Sequence, residues 1–152
     1  MEISELIRKT FNDQKIEFEH TTHDPVFTSQ EAADVRGVEL RTGVKALICK
    51  RKKKDEFILI LVPADQQVDL KKITALDGNR LHLATPKDVF EVTGCTPGSV
   101  PPFCHKTELK TYISNDVFEN EIVNFNIGVH DQSAGIKSED LKKLLPENTT
   151  YF

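Results

Sequence analysis

Residues 44–62, VKALICKRKKKDEFILILV, hold two apolar runs, Val44–Cys49 and Phe57–Val62, on either side of a charged centre. Each run has the length of a strand, and the charged centre belongs in water, so the stretch predicts an antiparallel hairpin with a solvated tip. A central hairpin points to a largely non-parallel sheet. Alternation puts Lys45 on the strand face shared with Leu47 and Cys49, opposite Val44 and Ala46. An ammonium there either snorkels from a sheet edge or projects into a pocket that needs a positive charge. The tip itself, Lys50-Arg51-Lys52-Lys53-Lys54, is either a solvated turn or a local grip on the end of an RNA.

Outward from the hairpin, helices are marked by their caps. Ile3, Leu6, Ile7 and Phe11 recur at helical spacing, which predicts an amphipathic helix over 2–14, and the alternation at 16–19 predicts a short strand. Thr28-Ser29-Gln30-Glu31 has the form of a capping box, with Gly37 placed to end the helix. Asp69 caps a helix carrying Leu70, Ile73 and Leu76 that stops at Asp77-Gly78. Leu81–Ala84 is a strand, and Thr85-Pro86 opens a helix that ends at Thr93-Gly94. Further strands fall at 109–114, 122–127 and 133–137, and Ser138 caps a last helix, 139–145, stopped by Pro146. The expected fold is α/β of the α+β kind, one domain over 1–152, with a mixed sheet flanked by short helices.

Composition agrees and excludes several functions. A chain of 152 residues with 38% hydrophobic and 29% charged content is long enough for one self-sufficient core. The net charge of −4, from 20 Lys+Arg against 24 Asp+Glu, excludes a globally basic coat for long nucleic acid but leaves room for a local patch. No stretch is apolar enough to span a bilayer, and the amphipathic, partly acidic N-terminus is unlike a secretory signal. Three cysteines, an odd number, fit a reducing compartment, so a cytoplasmic location and no membrane partner are expected.

The familiar catalytic signatures are missing: no phosphate-binding Gly-Lys loop, no G-x-S-x-G, no H-E-x-x-H and no C-x-x-C. Cys95, Cys104 and His105 share a loop, but adjacent residues poorly suit one tetrahedral ion, so no metal and no cofactor are expected. A thiol nucleophile paired with His105 is the weaker enzymatic alternative. The loop 94–103, GCTPGSVPPF, draws more attention. Its glycines let backbone approach a ligand and its prolines stiffen it, as presentation of N–H and C=O groups to an anion requires; a rigid helix-to-strand connection is the other reading.

Several blocks, in order along nearly the whole chain, resemble the YbaK/ProX family of aminoacyl-tRNA deacylases, relatives of the editing insertion domain of prolyl-tRNA synthetase. They are His20…Pro25…Thr28–Ala33, Gly43–Ile48, Pro63–Lys72, the G-x-x-P-G-x-x-x-P-F loop from Gly94 to Phe103, Phe125–His130 and Ser138–Leu141. The resemblance implies a barrel-like, mostly antiparallel mixed sheet and a trans-editing hydrolase. Its reaction would be cleavage of the ester of a mischarged tRNA, tRNA(Pro) carrying Ala or Cys, with the tRNA 3′ acceptor end as partner and an aminoacyl-tRNA synthetase as a further one. By the same resemblance Lys45, Gly98 and His130 are the catalytic candidates, and Thr28, Lys45, Gly94, Pro97, Gly98 and Gly128 bind substrate. A non-catalytic aminoacyl-tRNA or amino-acid binding module on the same fold is the alternative.

Overall fold

The computed structural model describes residues 1–152, and the central hairpin is present in it. Val44–Arg51 pairs antiparallel with Phe57–Pro63, from Val44 opposite Pro63 to Lys50 opposite Phe57. In chain order the strands are β1 (Phe18–Thr22), β2 (Val44–Arg51), β3 (Phe57–Pro63), β4 (Leu81–Leu83), β5 (Lys110–Ile113), β6 (Ile122–Asn126), β7 (Gln132–Lys137) and β8 (Thr150–Tyr151). The helices are α1 (Ile3–Asp13), α2 (Ser29–Arg36), α3 (Leu70–Asp77), α4 (Pro86–Thr93) and α5 (Ser138–Leu144). No helix is long and apolar enough to cross a membrane.

Two sheets result. One has five strands in the order β4-β2-β3-β5-β8, antiparallel around the hairpin and parallel from β3 to β5 and β5 to β8. The other is antiparallel with the order β1-β7-β6. The expected mixed sheet is therefore found, but it is divided and neither part closes into a barrel. A single parallel bridge, Gly43 to Asn124, joins the two. Upstream of Gly43 the chain runs through a 3₁₀ turn, Leu40–Thr42, which ends that bridge on one side.

β3 lies between β2 and β5 and is buried on both faces. Leu59 and Leu61 join the larger core with Ile7, Phe11, Phe125 and Leu141. Ile58, Ile60 and Val62 face a smaller core with Cys49, Ile73 and Tyr112. An unbroken apolar run, rather than an alternating one, is the sequence of a strand covered twice. Phe11, Phe103 and Phe125 extend the larger core as edge-on aromatic pairs, 5.9 and 5.6 Å between ring centroids.

The caps behave as expected at three of the five helices. The Thr28–Glu31 box is formed on both sides, Asp69 and Thr85 accept from their helices' first turns, and Gly37, Gly78 and Gly94 close α2, α3 and α4 in the left-handed conformation. Two local expectations are corrected. Ser138 is the first residue of α5 rather than its cap: Lys137 holds the cap position, no side chain caps the helix, and the Ser138 N–H donates to the Glu121 carbonyl. The first strand starts at Phe18, because the chain turns at Lys15 (φ +57°) and Ile16 is buried in that turn. The short β8 and the 3₁₀ turns at 40–42 and 115–119 were not expected from sequence.

One ion pair ties the far end of the hairpin to its neighbours. Arg51 donates from Nε to Asp77 Oδ2 at 2.9 Å and from Nη2 to Oδ1 at 2.7 Å, and Tyr112 Oη donates to the same carboxylate at 2.7 Å. The Asp77 side chain is 1% exposed. Its hydrogen bonds from Arg51 hold the carboxyl down at about 2. Asp77→Asn is expected to cost about 3 kcal/mol in urea denaturation at pH 7, since Arg51 then keeps only the exposed Glu56, 3.4 Å from its Nη1. A carboxyl held low stabilises the fold above its unfolded value of 3.8 and loses that contribution as pH falls toward 2. The gap between wild type and variant should therefore shrink across that window.

Candidate active site

At the opposite end of β2 a cavity of about 90 Å³ opens between α2, the start of β2, the 94–103 loop and β6. That is smaller than the roughly 300–1,000 Å³ of pockets for drug-sized ligands. Much of its wall is apolar and small, including Val26, Ala32, Ala33, Val44, Ala46 and Ala64. Polar groups are few: Thr28 and Ser29 at the start of α2, Arg36 at its end, Glu39, Lys45, and Asn126 at the end of β6.

Lys45 contributes to this wall, and its ammonium donates to the Gln66 carbonyl at 2.6 Å. An ammonium carries three N–H donors, so two remain for a ligand. Gln66 is held in turn, its amide donating to Asp116 Oδ2 at 3.0 Å. Thr28 also lines the cavity; its hydroxyl oxygen accepts from the Glu31 N–H at 3.1 Å as the cap, leaving the hydroxyl proton free.

Gly98 is the loop glycine that reaches the cavity. Its φ of +88° favours glycine, and a Cβ there would stand 3.4 Å from His130 Cε1. The Gly98 carbonyl accepts from Asn126 Nδ2 at 2.5 Å. The backbone N–H groups of Gly98 and of Val100, which also lines the cavity, donate to nothing in the protein. Unpaired N–H groups at a cavity wall are donors held ready for a ligand.

The other candidates lie outside the wall. Pro97 is exposed on the loop. Gly94 ends α4, and a Cβ on it would come 3.2 Å from Ile3 Cδ1. Gly128 (φ +92°) is tighter still, its Cβ position 2.8 Å from Ile3 Cγ2, while its N–H donates to the Ser99 carbonyl. Both glycines thus let the loops settle onto α1. His130 uses both ring nitrogens: Nδ1 lies 3.1 Å from the Val26 carbonyl and Nε2 2.8 Å from Thr96 Oγ1. A carbonyl can only accept, so Nδ1 carries a proton, and in the neutral ring Nε2 accepts from Thr96. The ring also packs on Phe27 at 4.6 Å between centroids. His130 clamps the 94–103 loop to the segment before α2.

Sequence reasoning missed Arg36 and Asn126. An arginine in the last turn of a helix reads as a solvated charge favoured by the helix dipole, and nothing local announces that α2 lies against β6 and β7.

The thiols form no second site. Cys95 is buried, its Sγ facing the Thr93 carbonyl, and burial pushes it up to about 11; burial also raises Cys104 and takes Cys49 to about 11. His105 donates from Nε2 to the Pro101 carbonyl at 2.6 Å, and its ring makes no hydrogen bond to a thiol. No three His, Cys, Asp or Glu side chains gather in one place.

The aminoacyl-tRNA editing domain family matches residues 23–144. The multifunctional Ser/Thr-tRNA deacylase ProXp-y of Escherichia coli (strain K12) is 35% identical over 140 residues, 90% of this chain and 84% of that one. A proline–tRNA ligase of Staphylococcus aureus (strain Newman) is 31% identical over 121 residues, 74% of this chain but 20% of the ligase. A crystal structure provisionally described as a trans-editing enzyme for prolyl-tRNA synthetase superposes with a TM-score of 0.84 at 26% identity, over 99% of this chain and 94% of that one.

With every thiol pushed up or half-buried, iodoacetamide at pH 7 is expected to label the native protein slowly, and all three cysteines once it is denatured. Mass spectrometry of the two reactions checks this; fast native labelling at Cys95 or Cys104 would restore the thiol nucleophile.

Proposed function

From the premise that this chain belongs to the aminoacyl-tRNA editing domain family, we propose that it is a trans-editing aminoacyl-tRNA deacylase. In this proposal the cavity between α2, β2 and the 94–103 loop takes the aminoacyl group at the tRNA 3′ acceptor end. The observation that carries it is the pair of unpaired N–H groups, Gly98 and Val100, at the wall of a cavity sized for a small amino acid.

Water adds to the ester carbonyl carbon, and negative charge gathers on the carbonyl oxygen, which the two N–H groups can receive. The bond to the ribose oxygen then breaks, and the departing 3′ oxygen takes up the proton the water gave. An aminoacyl ester is already activated, so this asks less of the protein than amide cleavage does. Lys45, resting on Gln66, keeps two donors for the terminal nucleotide, and the ribose's neighbouring hydroxyl assists the proton transfer. His130 serves by position, fixing Thr96 and hence the loop that carries Gly98.

Alanine, cysteine, serine and threonine all have side chains small enough for the cavity, with tRNA(Pro) as the expected carrier. One observation favours the alternative, a binding module without turnover. Lys45 and His130 are both engaged by the protein, and no free general base faces the cavity. A deacylation panel separates the two: tRNA(Pro) charged with Ala, Cys, Ser, Thr or Pro, against wild type and Lys45→Ala. Hydrolysis of at least one mischarged species, reduced roughly 10- to 100-fold in Lys45→Ala, is expected. Tight binding without hydrolysis would establish the module instead.

The basic tip enters at longer range. Arg51 is drawn inward by Asp77, but Lys52 joins Lys71 and Arg80 around an open groove, and none of these three has an acidic partner. At about 3.4 Å per residue, the seven steps from Lys45 along β2 to Lys52 just beyond it put this groove roughly 24 Å from Lys45. Replacing Lys52 and Lys71 with Ala should flatten the salt dependence of tRNA binding by about 1.5 logarithmic units per decade of salt. An unchanged slope would remove the groove from the RNA interface.

A further inference from the structure

Arg36 is a cation in the cavity wall that the deacylation chemistry leaves unused. It has no acidic partner: Glu39, the one carboxylate of the wall, accepts from Arg41 Nε at 2.6 Å. Burial pushes its guanidinium down to about 10, which still leaves it charged at neutral pH. A charge withdrawn from water without a counter-ion is costly, and here only neutral groups hold it.

Those groups aim it. Nε donates to Ser133 Oγ at 2.8 Å and Nη2 to Asn126 Oδ1 at 3.1 Å. Ser133 is oriented by His23 Nε2 at 2.8 Å, whose other nitrogen lies 2.8 Å from the Asp24 carbonyl. Asn126 is oriented by the Gly98 carbonyl, which obliges its Nδ2 to face the loop and its Oδ1 to face Arg36. A planar guanidinium fixed at two nitrogens has its third fixed as well. That third nitrogen, Nη1, makes no hydrogen bond; it lies 3.9 Å from where a Cβ on Gly43 would stand, beside Ala64.

Position and volume decide what Nη1 can meet. The backbone donors for the ester oxygen are on the loop, and Asn126 stands between that loop and Arg36. A cavity of about 90 Å³ is taken up by the aminoacyl group, and the nucleotide is left to the free donors of Lys45. What remains within reach is the side chain of the bound amino acid, in surroundings that are otherwise aliphatic: Val38, Leu40 and Ala64.

We propose that Arg36 is the specificity-determining residue of the aminoacyl pocket, donating from Nη1 to an oxygen on the amino-acid side chain, so that the cavity selects serine and threonine over alanine. The inference rests on the deacylase reading of the same cavity. An apolar pocket separates isosteres differing by a hydroxyl poorly, whereas a donor left unpaired by the wrong substrate separates them well. The aliphatic wall takes the threonine methyl, and the Nη1 N–H donates to a lone pair of the hydroxyl oxygen.

The test compares tRNA(Pro) charged with serine and with alanine, under wild type, Arg36→Met and Arg36→Lys. Wild type should favour the seryl ester by roughly 10- to 100-fold in kcat/KM, the span of one hydrogen bond from a charged donor. Arg36→Met should bring the two esters to near parity by losing seryl turnover while keeping alanyl turnover, and Arg36→Lys should recover part of the preference. A variant damaged only in its fold slows on both esters alike, so an unchanged ratio overturns the proposal, as does a wild type that favours alanine. Should wild type hydrolyse neither ester nor any other mischarged species of the panel, the deacylase reading falls by itself. Titration with the hydrolysis-resistant 3′-seryl and 3′-alanyl amides of 3′-amino-3′-deoxyadenosine then decides the role of Arg36. A seryl preference lost in Arg36→Met, or in wild type alone if that variant does not fold a preference of the same size, upholds it; equal affinities overturn it.

Discussion

Burial of β3 on both faces is the constraint from which the rest of this structure follows. From Ile58 to Val62 no residue is more than 3% exposed, so each face must be covered by something else in the chain. α1, α5 and the three-stranded sheet cover Leu59 and Leu61. α3 and Tyr112 of β5 cover Ile58, Ile60 and Val62. β2, bonded along one edge of β3, is carried with it, and the two ends of β2 then acquire different duties. One end opens at the cavity with Lys45, and the other is locked by Arg51 and Asp77 before it turns into the charged tip.

The cavity is assembled from segments whose local geometry is secured elsewhere. α2 holds its start through the Thr28–Glu31 box. The 94–103 loop is anchored twice: on α1, where Gly94 and Gly128 admit Ile3, and on His130, which bridges Thr96 and Val26. Asn126 then connects that loop to Arg36. Few of these anchors touch the place where a substrate would sit. They fix the directions of the groups that do, which is how a site without a catalytic triad can still be organised.

What was legible in the sequence was what short-range physics decides. The hairpin at 44–62, the capping box, the Asp69 and Thr85 caps and the glycine stops at 37, 78 and 94 each depend on a few adjacent residues, and each is found where those residues place it. Lys45 was legible as an anomaly in an alternating strand. Arg36 was not, because its meaning lies in contacts with Ser133 and Asn126, 97 and 90 residues away. Division of the sheet escaped for the same reason, since it turns on one bridge between Gly43 and Asn124. Gly94 and Gly128 were legible as special glycines, but sequence gave no sign that the special neighbour was an isoleucine of the first helix.

The single bridge at Gly43 has a mechanical consequence. The cavity lies on the seam between two sheets that share a core but exchange backbone hydrogen bonds at only one point, so the seam is the compliant line of the molecule. On the five-stranded side of that seam the two smallest residues stand opposite each other: a Cβ on Gly43 would already touch that of Ala64, at 3.0 Å, whose N–H donates to the Gly43 carbonyl. A larger residue at position 43 would press on Ala64 and on the Leu40 carbonyl and take up space at the wall that both small residues leave open. The aperture is thus gauged by two residues that take no part in the chemistry, and the absence of bulk at position 43 is as much a component of the pocket as any side chain that lines it.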